Sequence, residues 1–137
     1  MPRRQLRAVA MQILFQWDAQ GGDFEEGIGE FLAAEGLTGS NLAFTRRLID
    51  ESIKHQEQID QYICEVSAHW DLTRITPVDR AILRLAACEI CFLDDSPAKV
   101  AIDEAVELAR MFGAKEAPRF VNGLLDAILK KHNNPNL

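Results

Sequence analysis

The sequence predicts an all-α protein, and three observations lead to this prediction. Apolar residues recur at the helical spacing i, i+3 and i+4 in one segment after another along the 137 residues. No segment of useful length alternates apolar and polar residues as a half-buried strand does. Gly and Pro stand between the periodic segments, where helices end and begin. We therefore predict about seven helices, and the length fits one domain or two small bundles that share one core.

The first two helices are predicted in the N-terminal part of the chain. Residues 2–20 place their apolar side chains on one face, and a glycine pair ends this helix. Asp23 is the expected cap of the second helix. The apolar stripe of that helix is interrupted by Gly27 and Gly29, which weaken it because glycine is a poor helix former.

The middle of the chain predicts two further helices and then a central one. The two helices are expected at about 41–55 and 59–70. The next segment carries a clear start signal, because Thr76 can cap, Pro77 suits the first helical position and Asp79 stands three residues after the cap. Its apolar residues run nearly all the way round the helix, so we expect this helix to lie at the centre of the fold.

Two more helices complete the chain. One opens at Ser96-Pro97 and ends before Gly113, a natural residue just after a helix. The last helix starts near Pro118. Gly123 lies inside it and costs about 1 kcal/mol relative to alanine, so we expect the backbone of another helix to approach it closely.

Positive charge is concentrated at the start of the first helix. The net charge is -6, which argues against coating nucleic acid by bulk charge, so any such contact must come from a local patch. Arg4 and Arg7 share one stripe of this helix with Met11 and Phe15, and Arg3 lies beside that stripe. Cations at a helix N-terminus oppose the macrodipole. Local helix energetics do not favour them there, and this indicates an anionic partner.

Two aromatic residues stand near these cations, and each allows two interpretations. Phe15 can stack an unpaired base, or it can pack against a neighbouring helix. Phe120 stands beside Arg119 and Lys115 at the start of the last helix, where free N–H groups suit a phosphate. It can lie on the rim of such a site, or it can fill a groove between helices.

The residues give little support to an enzyme. Glu89 projects from the apolar face of the central helix, where a carboxylate needs hydrogen-bond donors. A general base is one interpretation, but no second titratable group pairs with it for catalysis. We favour a structural carboxylate that bonds a backbone amide or an arginine on another helix. A glycine-rich phosphate loop is missing from the sequence, and we predict neither catalysis nor a cofactor.

The cysteines also favour packing over chemistry. Cys88 and Cys91 form a C-x-x-C within a helix, and a zinc site would need two more ligands. Cys64 and His69 are the only loose candidates, so we expect no metal site and interpret the cysteines as small core residues. An odd number of cysteines argues against a disulfide framework. With no apolar run near about 18 residues, we expect a cytoplasmic protein without a membrane span.

Three segments resemble the NusB family in their order and spacing. They are RRQLRAVAMQILFQW, VDRAILRLAACEI and VAIDEAVELARMFGAKEAPRFVNGLLDAIL. EAVELA, FG and FVNGLLD are the most specific parts, whereas about residues 21–58 carry little of the family's pattern. The resemblance covers nearly the whole chain. It implies a single NusB-like domain over 1–137, with sub-bundles at approximately 1–57 and 58–137.

The resemblance also implies a non-enzymatic adaptor for transcription antitermination and elongation. The family binds boxA, a short single-stranded RNA element, as a heterodimer with NusE, a small-subunit ribosomal protein. The pair supports an antitermination complex on RNA polymerase, notably on ribosomal RNA operons. Two alternatives stay open: an RNA-independent helical scaffold, and the NusB-like RNA-binding module of a ribosomal RNA methyltransferase. A homodimer of the free protein, hiding the basic stripe, stays open as well.

Site residues follow from the same resemblance, position by position. Phe15 stands where the family often has tyrosine, so stacking is kept and a hydroxyl contact is lost. Glu116 stands where an acidic residue is expected. The implied RNA-binding residues are Arg3, Arg4, Arg7, Phe15, Arg84, Lys115, Arg119 and Phe120. The implied partner-binding residues are Asp79 and Arg80, although Thr73 and Arg74 replace acidic residues expected beside them.

Overall fold

The protein folds into helices throughout the part of the chain that the computed structural model describes, residues 1–21, 23–67 and 71–132. This part contains seven α-helices, one short 3-10 helix and no strand, so the prediction of an all-α fold is confirmed. The α-helices are α1 (Arg3–Ala19), α2 (Glu25–Ala34), α3 (Gly39–Lys54), α4 (Gln56–Val66), α5 (Pro77–Phe92), α6 (Ala98–Phe112) and α7 (Ala117–His132), and the 3-10 helix is Leu72–Arg74.

Helix α5 is the centre of the fold, as its apolar pattern predicts. Every residue from 81 to 90 is buried, and the helix packs against α1, α3, α4, α6 and α7. Its start follows the predicted signal. The Thr76 hydroxyl accepts a hydrogen bond from the backbone N–H of Asp79 at 3.2 Å, and Pro77 occupies the first helical position.

One hydrophobic cluster draws side chains from all seven α-helices. Burying each large aliphatic side chain contributes about 1.5–3 kcal/mol, so this shared core is the main source of stability. The division into sub-bundles at 1–57 and 58–137 stays a prediction. The largest fully buried side chains include Leu6, Ile13, Ile28, Leu48, Ile49, Ile59, Ile63, Ile82, Leu83, Leu85, Ile90 and Leu108.

The start of α2 differs from the prediction. The helix begins at Glu25 with no side-chain cap, so the predicted capping role of Asp23 is wrong. Gly27 has a packing role instead, because a Cβ there would lie 2.1 Å from a ring carbon of Phe24. The glycine that weakens this helix therefore makes room for an aromatic ring at its start.

Two glycines near the chain's end have different roles from those predicted. Gly113 follows α6 with an extended backbone, at φ -91°, so a left-handed turn does not explain it. A Cβ at Gly113 would lie 2.6 Å from the Cβ of Ala117 and 2.9 Å from Oδ1 of Asp79, so space is the requirement. Gly123 is exposed, and no atom of the described residues lies within 4 Å of a Cβ placed there. The predicted close approach of another helix to Gly123 is therefore wrong.

Four rings stack where α3, α4, α5 and α7 meet. The ring centroids of His55 and Phe92 are 4.0 Å apart, those of Phe92 and Tyr62 are 6.2 Å apart, and those of Tyr62 and His132 are 3.7 Å apart. Nε2 of His132 also lies 2.9 Å from a carboxylate oxygen of Glu65. The stack fixes the end of α7 against α4.

The bounds of helix α4 differ from those predicted. Helix α4 begins at Gln56, three residues before the predicted start, and ends at Val66. Residues 68–70 of the predicted helix, which include His69, lie outside the described residues. No helix in the described ranges is both long and apolar enough to cross a membrane.

Candidate nucleic-acid interface

Two of the predicted cations at the start of α1 are accessible. Arg3 is exposed, and its guanidinium carbon lies 4.4 Å from the ring centroid of Phe44. The Arg4 side chain is half exposed, and its Nε lies 2.7 Å from Oε2 of Glu104 on α6. The hydrogen bond from Arg4 lowers the pKa of the Glu104 carboxyl, so this carboxylate is ionised and competes with any anion for Arg4.

Arg7 does not lie on that surface, contrary to the prediction. It is only 4% exposed, with Nε 3.0 Å from Oε1 of Glu89 and an Nη nitrogen 2.5 Å from Oε2. Because α5 lies at the centre of the fold, Glu89 faces the side of α1 that carries Arg7. A buried charge is costly unless an opposite charge pairs with it, so these two side chains pair. A phosphate cannot reach Arg7, so its assignment to RNA binding is corrected. The interpretation of Glu89 as a structural carboxylate bonded to an arginine on another helix is confirmed.

Arg84 and Arg80 are also held inside the fold. Two nitrogens of Arg84 donate to both carboxylate oxygens of Asp60, at 2.8 and 2.9 Å, and a third lies 3.2 Å from Asp18. Arg80 donates to Asp18 at 3.0 and 2.8 Å and to the carbonyls of Leu72 and Ile75. Because Arg84 is 7% exposed and its donors already have partners within the chain, we correct its assignment to RNA. The assignment of Arg80 to a protein partner stays a prediction.

Lys115 and Arg119 line an open groove at the turn between α6 and α7. The groove has a volume of about 630 Å³, and both side chains are exposed. Arg110 of α6 lines it too, together with Asn122. Arg110 lies near the end of α6, so a pattern of cations at helix starts does not include it. Its spacing is the signal that could have found it, because Arg110, Lys115 and Arg119 recur every four or five residues on either side of the turn. Three cations therefore face one groove.

Carboxylates on α6 link this groove to the start of α1. Glu104 holds Arg4, and Glu107 lies 2.6 Å from an Arg110 nitrogen. The two carboxylates therefore stand between the two arginines, and residues 104 and 110 are about 9 Å apart along α6, six residues at 1.5 Å each. Acidic groups thus separate the accessible cations of α1 from those that line the groove.

Phe120 and Asp79 line a second, mainly apolar pocket beside the groove. This pocket has a volume of about 210 Å³, and Ile75 and Ala117 also line it. Phe120 is half-buried, so part of its ring packs between helices and part lies on the rim of the site, as the two interpretations of its sequence position propose. Asp79 is 7% exposed, and its Oδ1 has no hydrogen-bond partner among the described residues. Burial raises the pKa of the Asp79 carboxyl, because the charged form loses its contact with water.

Phe15 lies elsewhere, in a groove of about 270 Å³ where α1, α2, α5 and α6 meet. It is half-buried beside Phe31, Val78 and Phe112, in an apolar lining that also contains Met11. Met11 is itself buried, so the helix stripe that joins it to Arg7 is a packing face. None of the three groove cations lines this surface.

The cysteines behave as core residues where α5 holds them. Cys88 is buried and Cys91 is partly buried, and burial raises the pKa of their thiols to about 12 and about 11. Cys64 is exposed. In residues 1–21, 23–67 and 71–132, no three His, Cys, Asp or Glu side chains form a group that could hold a metal ion.

The fold and its groove define a class, an all-helical protein with three accessible cations in one groove, which is a local site for an anionic chain. The chain belongs to the NusB family, whose family model matches residues 4–130. The transcription antitermination protein NusB of Syntrophomonas wolfei is 40% identical over 133 residues, covering 97% of this chain and 99% of the relative. NusB of Shewanella oneidensis is also 40% identical, covering 94% of this chain and 96% of the relative.

Solved structures agree with this assignment. The structure of T. maritima NusB superposes with a TM-score of 0.89 at 36% identity, covering 98% of this chain and 94% of that one. A crystal structure of antitermination factors NusB and NusE in complex with dsRNA superposes with a TM-score of 0.83 at 29% identity, covering 93% and 96%.

Proposed function

We propose that this protein binds boxA-type single-stranded RNA together with NusE and so supports antitermination during ribosomal RNA transcription in the cytoplasm. One observation carries the proposal: Arg110, Lys115 and Arg119 face one groove in a chain of net charge -6. Cations gathered in this way provide a local site for a phosphate backbone that the rest of the surface repels.

The relatives support the same role. Those that match nearly the whole chain are named transcription antitermination proteins, which favours this role over the RNA module of a methyltransferase. The related NusB–NusE complex holds double-stranded RNA. The proposal commits to a single strand because Phe120 lies one residue from Arg119, and an aromatic ring can stack only a base that is unpaired.

A basic protein partner is part of the proposal, and we place it at the carboxylates of Asp79 and Glu116, beside the Phe120 ring that we assign to a base. Asp79 lines this pocket and the exposed Glu116 lies at its edge, so the pocket presents carboxylates to a cationic side chain. The acidic remainder of the chain attracts such a partner over longer distances. The pair acts as an adaptor for RNA polymerase and not as an enzyme, and homodimerisation of the free protein competes with pairing.

The size of the cationic patch explains why a partner is needed. Three phosphate contacts on a single strand give a salt slope of roughly -2, so a rise from 50 to 200 mM salt lowers affinity about twentyfold. A patch this small binds weakly alone. Partner cations add phosphate contacts and increase both the affinity and the salt slope.

A gel shift across a salt series, with and without NusE, tests the function. The double variant Lys115→Gln and Arg119→Gln should bind single-stranded boxA RNA about tenfold more weakly and lower the slope by about 1.4, that is 0.7 for each lost contact. The control is Arg46→Gln with Arg47→Gln on α3, which removes the same charge at positions that do not line the groove.

Three results would count against the proposal. Equal losses in the two double variants would make the effect one of net charge alone. Unchanged binding by the groove variant would favour the RNA-independent scaffold. Duplex RNA that binds as tightly as the single strand would remove the role of base stacking.

A further inference from the structure

The segment that leads into α5 forms one side of the Phe120 pocket, because residues 74–76 line it. We call residues 72–76 the wall segment, and it begins with the 3-10 helix. Asp79 and Glu116, the carboxylates that we assign to the protein partner, line the same pocket. The surface offered to the partner therefore depends on where the wall segment lies.

The 3-10 helix of the wall segment has little burial of its own to hold it. Leu72 is partly buried, and Thr73 and Arg74 are exposed. Hydrogen bonds in a 3-10 helix have poorer geometry than those in an α-helix. Segments with few buried apolar contacts are also the ones that open most easily. The position of this segment therefore depends on ties to the rest of the fold.

Arg80 of α5 provides such a tie. Its Nη1 donates to the carbonyls of Leu72 and Ile75, at 3.0 and 3.2 Å, and so spans the 3-10 helix. Its Nε and Nη2 donate to one carboxylate oxygen of Asp18 on α1, at 3.0 and 2.8 Å. Asp18 thus fixes the guanidinium while the guanidinium holds two backbone carbonyls of the wall segment.

Arg84 shares Asp18 with Arg80 but does not share the wall segment. One of its nitrogens lies 3.2 Å from the other carboxylate oxygen of Asp18, and two donate to Asp60 on α4. Within the described residues, no carbonyl of the wall segment accepts a hydrogen bond from Arg84. The two arginines belong to one charged network, and Arg80 connects that network to the wall segment.

We propose that Arg80 is a positioning residue for the partner surface, because its guanidinium, fixed by Asp18, holds the wall segment where it lines the Phe120 pocket. The inference rests on the proposed function and adds the device that keeps this surface ready for the partner. A preformed surface binds faster, since the partner need not wait for the segment to reach its place. Only 17% of the Arg80 side chain is exposed, so Arg80 acts through the backbone that it holds.

Hydrogen exchange tests the hold on the wall segment. Arg80→Lys keeps the charge and can still pair with Asp18, but a compact ammonium cannot reproduce the guanidinium fork that reaches both partners. The backbone amides of Arg74 and Ile75, which donate to nearby carbonyls, should exchange about tenfold faster. Arg84→Lys is the matched control and should leave these two amides unchanged. Asp18→Asn, which loosens the same guanidinium, is a second variant and should also speed their exchange.

Binding kinetics test the consequence for the partner. NusE should associate with the Arg80→Lys variant about fivefold more slowly, as expected if the wall segment is in place about one fifth of the time. The dissociation rate should change little, because the bound partner keeps the segment in place. Loss of a direct contact would instead act mainly on dissociation. Arg84→Lys should bind as the unchanged protein does, and surface plasmon resonance measures both rates.

The outcomes separate this inference from the proposed function. Unchanged exchange in Arg80→Lys would show that Arg80 does not hold the wall segment, and unchanged association would show that the partner does not use it. Faster dissociation alone would make Arg80 a direct contact, and equal effects in Arg84→Lys would assign them to the whole network. Each of these results overturns the inference and leaves the proposed function standing. Failure of the unchanged protein to bind NusE would overturn both.

Discussion

Arg7 of α1 and Glu89 of α5 form a buried ion pair in which two guanidinium nitrogens meet two carboxylate oxygens at 3.0 and 2.5 Å. Both side chains are at most 5% exposed, and the Ser96 hydroxyl lies 3.4 Å from the same guanidinium. This pair joins the first helix to the central one, so the last arginine of the basic segment serves the fold and not the surface.

Breaking this pair on one side should be costly. Arg7→Met leaves the Glu89 carboxylate buried without its partner, and we expect the free energy of unfolding to fall by about 3–5 kcal/mol. Arg4→Met is the matched control, because the Arg4 side chain is half exposed and water screens its pair with Glu104, so the loss should be much smaller. Urea unfolding followed by circular dichroism measures both. Equal losses in the two variants would contradict a special role for the buried pair, and adding Glu89→Leu to Arg7→Met should recover much of the loss.

Asp79 of α5 and Asp18 of α1 should make stability depend on pH in opposite directions. Burial raises the pKa of Asp79 above its ordinary 3.8, so the folded state holds this proton more tightly than the unfolded state. Stability therefore falls as pH rises from about 3.8 through the higher folded-state pKa, and Asp79→Asn should remove that fall. Chemical unfolding between pH 3 and 7 measures it.

Asp18 supplies the contrasting case. Its partial burial opposes ionisation, but hydrogen bonds and charge from Arg80 and Arg84 outweigh this and lower its pKa. Its contribution is present above pH 3.8 and is lost as pH falls through the lower folded-state pKa. Asp18→Asn should therefore reduce stability at neutral pH and flatten the acid side of the profile. The same slope for both asparagine variants would refute this assignment of signs.

Thiol reactivity should separate the three cysteines. Cys88 and Cys91 have pKa values of about 12 and about 11 because they are buried, so almost no thiolate forms at pH 8. Cys64 is exposed. A chromogenic disulfide reagent should titrate one thiol per folded chain within minutes and three in denaturant. Rapid reaction of two or three thiols in the folded protein would contradict the packing of α5.

Glu104 should act as an internal competitor for RNA. It occupies Arg4, so Glu104→Gln releases a cation near the groove, and we expect binding of single-stranded boxA RNA to tighten about two- to fivefold at low salt. Asp50→Asn removes the same charge from an exposed pair with Arg46 on α3 and is the control. A gel shift at 50 mM salt measures both. Equal gains would attribute the effect to net charge alone.

The helices were predictable because each one carries its own signal. Thr76 and Pro77 mark the start of α5, and the apolar spacing gives α1, α5 and α6 within a few residues. A helical wheel gives the direction of a side chain, but it cannot say what lies opposite. Arg7 was therefore placed with Arg4 on the surface, while Glu89 was correctly expected to need a partner.

The site was predictable only in part for the same reason. Lys115 and Arg119 follow from the family pattern and line the groove together, but Arg110 enters it from another helix and is visible only after the chain turns at Gly113. The glycines show most directly that a sequence pattern does not reveal the surroundings of a residue. A close contact was expected at Gly123 and occurs at Gly113, because the space around a missing side chain depends on distant segments.

The ring stack at the end of α7 provides a built-in spectroscopic reporter. Tyr62 is the sole tyrosine in the sequence, and it stacks between His132 and Phe92. Its ring protons therefore give one isolated set of NMR signals, shifted by the ring currents of its neighbours. Detachment of α7 would remove the contribution of His132 and leave that of Phe92, so local opening could be followed as a change in these signals without any label.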